Sequence, residues 1–128
     1  MGGDDDDIIW GDDEDNFGFG NDVIDGGGGN DTMHGGAGND RMDGGSGNDT
    51  INGDGGDDEI HGNEGMDTIH TGTGNDIVFG DSGCDDIWML DGGDLVWLGT
   101  CEEEIPQKVH IHGTGPDPDN CTVIEDFW

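Results

Sequence analysis

Nine consecutive blocks of nine residues run from residue 17 to residue 97, and this period constrains the fold more than anything else in the chain. The blocks read FGFGNDVID, GGGGNDTMH, GGAGNDRMD, GGSGNDTIN, GDGGDDEIH, GNEGMDTIH, TGTGNDIVF, GDSGCDDIW and MLDGGDLVW. Each has Asp at its sixth place: Asp22, Asp31, Asp40, Asp49, Asp58, Asp67, Asp76, Asp85 and Asp94. Each has a large aliphatic residue at its eighth: Ile24, Met33, Met42, Ile51, Ile60, Ile69, Val78, Ile87 and Val96. Gly holds every fourth place. Such a period marks a stacked architecture, in which one unit cannot bury its apolar residue alone and its neighbours must cover it.

Places one to six of a block are rich in Gly, Asn and Asp, which tolerate tight turns and left-handed backbone angles. Places seven to nine form a short strand whose middle residue points inward while its neighbours point outward. Two blocks make one turn of a flattened coil, and stacked turns align their strands at ~4.8 Å. Blocks therefore alternate between two edges. Asp22, Asp40, Asp58, Asp76 and Asp94 line one, and Asp31, Asp49, Asp67 and Asp85 the other. The core is two thin columns of aliphatic residues. At about 2 kcal/mol for each well-buried side chain, it does not outweigh the ordering of 29 glycines.

Charge makes the problem sharper. The 128 residues include 33 Asp and Glu but only Arg41 and Lys108 as bases, for a net charge of -31. That balance excludes a nucleic-acid binder, which must neutralise phosphates. No apolar run approaches the ~18 residues of a membrane span. Low hydrophobicity with high like charge predicts disorder unless something cancels the repulsion. The sequence thus implies a cation as a structural component.

The blocks resemble the RTX nonapeptide, G-G-x-G-x-D-x-U-x, of secreted bacterial calcium-binding proteins, a known calcium-binding β-helix signature. The resemblance covers residues 17–97 without a gap. An earlier block is GGDDDDIIW (2–10), with Asp7 and Ile9 in the two key places, followed by an acidic insertion, GDDEDN (11–16). The block after Val96, LGTCEEEIP, is degenerate: Cys101 replaces the Gly and Glu103 the Asp. The resemblance implies an all-β fold, a right-handed parallel β-roll over residues 1–97, with residues 98–128 as a C-terminal cap.

The resemblance also implies the ligands. In the family, a site takes the carbonyls of places two and four and the Asp of one turn, then the carbonyls of places one and three and the Asp of the next. Between Asp22 and Asp40 these are Gly18, Gly20, Gly35 and Ala37; between Asp31 and Asp49 they are Gly27, Gly29, Gly44 and Ser46. Further along, Gly36, Gly38, Gly45, Gly47, Gly53, Gly55, Gly56, Gly62 and Gly65 line the same loops. Counting gaps gives about seven or eight calcium ions, with Asp7 heading the second edge. Met89 and Leu90 replace the first two glycines of the last block and weaken the Asp76–Asp94 site. Calcium suits irregular cages of carboxylates and carbonyls, whereas magnesium demands a strict octahedron and zinc wants Cys or His.

Other features of the chain have plainer readings. Thr32, Thr50 and Thr68 form a short outward ladder that resembles the flat face of ice-binding or adhesive solenoids, although threonine also simply suits strands. His34 and His70 stand two turns apart, roughly 10 Å, too far to share an ion. His110 and His112 read as exposed or partly packed. No nucleophile motif occurs, so an enzyme is not expected. Of the three cysteines, Cys101 is paired with Cys121 in the favoured reading; Cys84 with Cys101, on loops one turn apart, is the other. Phe79, Trp88, Leu90, Leu95, Trp97 and Leu98 crowd the late blocks, to be covered by a hairpin of strands 108–112 and 121–126 around a turn at 113–120, or used as a homodimer interface. The end, IEDFW, resembles a type I secretion signal. Expected function is cooperative calcium binding coupled to folding of a secreted module, either independent or the folding aid of a larger secreted protease or lipase.

Overall fold

Residues alternate in and out along each strand, and a repeat with one aliphatic residue per strand can bury it only if strands stack in register. The computed structural model, which describes residues 1–12, 19–90, 92–101, 108–111 and 122–124, has this arrangement. Its strands are β1 (Ile8–Trp10), β2 (Val23–Gly28), β3 (Thr32–Ala37), β4 (Arg41–Ser46), β5 (Thr50–Gly55), β6 (Glu59–Glu64), β7 (Thr68–His70), β8 (Ile77–Phe79), β9 (Asp86–Met89), β10 (Leu95–Trp97), β11 (Lys108–Ile111) and β12 (Thr122–Ile124). Odd strands form one six-stranded sheet and even strands another. Every pairing is parallel. The chain is an all-β parallel solenoid. Among the described residues no helix is long and apolar enough to cross a membrane.

The eighth-place residues meet across turns as their period requires. Ile24, Met42, Ile60, Val78 and Val96 align in the even sheet, and Met33, Ile51, Ile69 and Ile87 in the odd sheet, with Ile9 ahead of Met33. From Met33 to Val96 each is fully enclosed. Strands β2 to β6 are six residues long, so pairing continues into the first three places of the following loop. There the backbone turns inward at a first-place glycine. A Cβ on Gly44 would lie 2.6 Å from Asp49 Oδ2 and 2.7 Å from the Gly62 carbonyl oxygen, so no larger residue fits without displacement.

The block at residues 2–10 stacks where the sequence puts it. The Asp7 N–H donates to Asp31 Oδ1 at 2.8 Å across 24 residues, where all later bonds of this kind span 18. The extra residues begin later than 11–16 suggests. The Gly11 N–H donates to the His34 carbonyl at 2.8 Å and the Ala37 N–H to Asp12 Oδ2 at 2.8 Å. Gly11 and Asp12 thus take the first two loop places, and the roll keeps register on both sides of residues 13–18.

Two expectations for the C-terminal segment change. Strands form close to where they were expected, but β11 pairs with β9 and β12 with β10, in opposite sheets, so they extend the roll instead of pairing as a hairpin. Open strand edges on β9 and β10 offer a ready ladder of backbone groups, which a detached hairpin would leave uncovered. The turn at 113–120, His112 and the EDFW end beyond Ile124 lie outside the described residues. The favoured Cys101–Cys121 bridge is also corrected: Cys101 is bonded to Cys84, with Cα atoms 4.8 Å apart. Neighbouring turns sit at one strand spacing, which brings these two loops within disulfide reach.

Outward side chains stack along both sheets. His61, Phe79 and Trp97 form a continuous pile at 4.5 and 4.7 Å between ring centroids. Trp10 lies on His34 at 4.0 Å, and Trp88 on His70 at 5.8 Å. The threonine ladder is in register, Thr32 with Thr50 and Thr50 with Thr68, before Asp86 interrupts it. At the second loop place the backbone is left-handed, and Asp54, Asn63 and Asp81 stand there with φ of 71°, 73° and 65°. Asn and Asp are the non-glycine residues that visit this region most readily. Each reaches diagonally to the strand of the preceding turn: Asp54 to His34 (3.4 Å), Asn63 to Asp43 (2.5 Å) and Asp81 to His61 (3.5 Å).

Candidate metal centre

The sixth-place aspartates stand at the head of each strand, where the loop turns into the sheet, and the stacking of strands stacks them too. Asp31, Asp40, Asp49, Asp58, Asp67, Asp76, Asp85 and Asp94 are each at most 2% exposed. Each carboxylate uses Oδ1 in the same way, accepting the backbone N–H of the aspartate one turn earlier. These bonds run from Asp22 to Asp40, Asp40 to Asp58, Asp58 to Asp76 and Asp76 to Asp94 on one edge. They run from Asp7 through Asp31, Asp49 and Asp67 to Asp85 on the other. All lie between 2.8 and 3.0 Å.

The second oxygen is the anomaly. Oδ2 of Asp31, Asp40, Asp49, Asp58, Asp67, Asp76 and Asp85 is buried with no hydrogen-bond partner. Buried polar atoms are almost always paired, and an unpaired charged one is costly. Burial accordingly lifts six of these acids: Asp58 and Asp85 to about 6, Asp67 and Asp76 to about 7, with Asp40 and Asp49 raised as well. Desolvation is the main cause, partly offset by the N–H bond each accepts, and neighbouring carboxylates push further in the same direction.

First-place carbonyls lie beside those oxygens. A Cβ built on Gly44 or Gly35 would strike the first-place carbonyl of the next turn, Gly62 or Gly53. The first-place carbonyls therefore point back toward the preceding turn. Third-place carbonyls do the same, since the Gly29 N–H donates to Ser46, Gly38 to Gly55 and Gly47 to Glu64. Fourth-place carbonyls point forward: Gly20 oxygen faces Gly38, Gly29 faces Gly47, Gly38 faces Gly56 and Gly47 faces Gly65. The second-place carbonyl of Gly27 faces Gly45 in the same direction. Each gap between turns is thus lined by places two and four from one side and places one and three from the other. Gly18 lies outside the described residues. Gly36 and Gly45, both with positive φ, supply the left-handed second place.

Donor chemistry decides which cation fits. Among the described residues no three His, Cys, Asp or Glu side chains converge as a zinc-type site requires. A gap instead offers two carboxylates and several carbonyl oxygens, an all-oxygen set of the kind calcium accepts.

Beside the aspartates runs a second ladder that the sequence reading passed over. Fifth-place side chains accept the backbone N–H of the next turn's fifth residue: Asn21 from Asn39, Asn39 from Asp57, Asp57 from Asn75 and Asn75 from Gly93. Asp6, Asn30 and Asn48 do the same on the other edge. The signal was present in the repeated Gly-Asn-Asp triplet. Thr71, alone among the first-place residues of blocks 26–79 in being other than Gly, was also passed over.

Comparison with known proteins agrees with this geometry. The profile of the RTX calcium-binding nonapeptide repeat matches residues 1–17, 18–42, 34–65, 52–87 and 61–96. The chain belongs to the RTX calcium-binding nonapeptide repeat family. The repeat is a structural calcium-binding module, not a catalytic one. No curated protein and no solved structure matches the chain.

Proposed function

We propose that this chain binds about seven calcium ions between its stacked loops, and that binding and folding are one event in a secreted protein. The reading is carried by the seven buried, unpartnered Oδ2 atoms. Bound calcium would supply the missing positive charge and coordination. Its ligands would be the carboxylates from Asp22 to Asp76 on one edge and from Asp7 to Asp85 on the other. Carbonyls of Gly20, Gly27, Gly29, Gly35, Ala37, Gly44 and Ser46 would complete the early sites, and Gly38, Gly47, Gly53, Gly55, Gly56, Gly62 and Gly65 the later ones.

Without the ion, these carboxylates repel one another at one-turn spacing and lose their water on burial, so the unfolded polyanion is favoured. Binding free energy is then folding free energy. A chain that stays unfolded where free calcium is low can thread a type I export channel and fold outside. The test is a calcium titration by far-UV circular dichroism, with magnesium as control. A cooperative gain of β signal with calcium alone is expected; full β signal in chelator at neutral pH would overturn the reading.

A second reading draws on the aligned Thr32, Thr50 and Thr68, an outward face suited to ice or to an adhesive partner. Replacing all three with Val and measuring ice shaping decides it: unchanged crystal habit in both proteins would remove the reading.

A further inference from the structure

We infer that the calcium ladder ends before the roll does, and that the rungs just past its last ion are fastened without a cation: by the Thr71 hydroxyl on Asp94 along one edge, and by the Cys84–Cys101 disulfide along the other. This rests on the calcium reading above and says where the sites stop.

On the first edge, Asp40, Asp58 and Asp76 each keep a buried Oδ2 without a partner. Asp94 is just as buried but has both oxygens engaged. Oδ1 accepts the Asp76 N–H at 3.0 Å, and Oδ2 accepts the Thr71 hydroxyl at 3.4 Å. Thr71 is fully enclosed, so no water competes for its proton. Its position matters as much as its hydroxyl. In earlier loops of this edge the first place is glycine, and a Cβ on Gly53 would come within 2.6 Å of Asp58 Oδ2. Space beside the carboxylate therefore exists only where a side chain is absent. Thr71 carries a side chain at this place in the Asp76 loop, and Met89, 1% exposed, does so in the Asp94 loop.

On the second edge, the fifth-place ladder passes from Asp6 to Asn30 to Asn48 and is received by the Met66 N–H at 2.9 Å. Met66 has no carboxamide with which to continue it. The following fifth place is Cys84, whose covalent bond to Cys101 links it to the next turn. In that next block Glu103 stands at the aspartate place. A covalent link thus falls where both the amide ladder and the aspartate ladder run out. A cavity of about 460 Å³, lined by Asn48, Met66, Gly83, Cys84 and Thr100 among others, opens beside Cys84.

The experiment counts bound calcium by native mass spectrometry in the full chain, in Asp76→Asn and in Asp94→Asn. Asp94→Asn should hold as many ions as wild type, and Asp76→Asn at least one fewer. Loss of an ion in Asp94→Asn overturns the inference. Should Asp94→Asn fail to fold, Thr71→Val serves: an unchanged count supports the hydroxyl as a proton donor to Asp94, and a lost ion shows it to be a calcium ligand and overturns the inference. Reduction of the wild-type chain in saturating calcium should speed hydrogen exchange around Thr100 and leave the count unchanged; a fall in the count overturns the role given to the disulfide. Absence of bound calcium in wild type would overturn the functional proposal as well, whereas an ion lost only in Asp94→Asn leaves that proposal standing.

Discussion

The interior columns and the two edges of this roll are equally buried, yet they differ in what burial does. Ile60 and Asp58 are two residues apart, and both are nearly invisible to solvent. Ile60 gains from leaving water, by about 1.5–3 kcal/mol for a side chain of its size. Asp58 loses: one oxygen is paired, the other is stranded, and its carboxyl is pushed up to about 6. The same geometry that builds the core builds the penalty, because both residues ride on the same nine-residue period. Burial alone is therefore a poor measure of stability here.

Removing calcium gives the largest effect and tests the comparison most directly. In chelator at pH 8 the β signal should collapse, because the edges then oppose folding with no compensation from the core. A roll that stays folded would mean the interior suffices, and the contrast would fail. Acid should partly reverse this. Asp58, Asp67, Asp76 and Asp85 have folded values near 6 to 7 against an ordinary 3.8, so the folded state takes up protons first. In calcium-free buffer, stability should rise as pH falls through 7 toward 4, and the penalty should be fully present above 7. A protonated Oδ2 can donate to a first-place carbonyl, which is the physical basis of the rescue. Circular dichroism at pH 4 and pH 8 without calcium checks it; equal signals would show that the carboxylates are not the obstacle.

Next in size is a paired substitution. Ile60→Ala should cost about 2–5 kcal/mol in denaturant unfolding with calcium present, yet leave the number of bound ions unchanged. Asp58→Asn, nearly the same size as the original, should lower the ion count instead. Isothermal calorimetry with both variants separates the two kinds of burial. The smallest effect belongs outside both regions: Arg41 and Glu59 pair at 2.6 Å on the open face, and Arg41→Gln should change stability by less than about 1 kcal/mol.

Much of this was legible in the sequence, for a definable reason. Places six and eight each repeat one kind of side chain, so the period alone numbers the aspartate edges and aliphatic columns, and also the head of the second edge at Asp7. What stayed hidden were features that depend on contact between turns. Nothing local distinguishes Cys84 from Cys121 as the partner of Cys101; only the stacking distance does. Val109 and Val123 carry the same alternation in a hairpin as in two parallel sheets, so the pattern did not show that β11 and β12 continue the roll. The loop order around Gly11 was equally ambiguous, since an acidic run has no internal landmark. The diagonal pairs from Asp54, Asn63 and Asp81 also needed the turn-to-turn offset to be seen.

The long first turn has a consequence beyond this chain's own chemistry. Asp7 and Asp31 make the same 2.8 Å bond across 24 residues that later aspartates make across 18. Alignment is thus held by what each turn grips in its neighbour, and the number of residues between grips is free at a corner. A foreign peptide spliced between Asp12 and Phe19 should therefore leave the Asp7–Asp31 bond and the later rungs in place, and the chain would then serve as a display scaffold that assembles on demand.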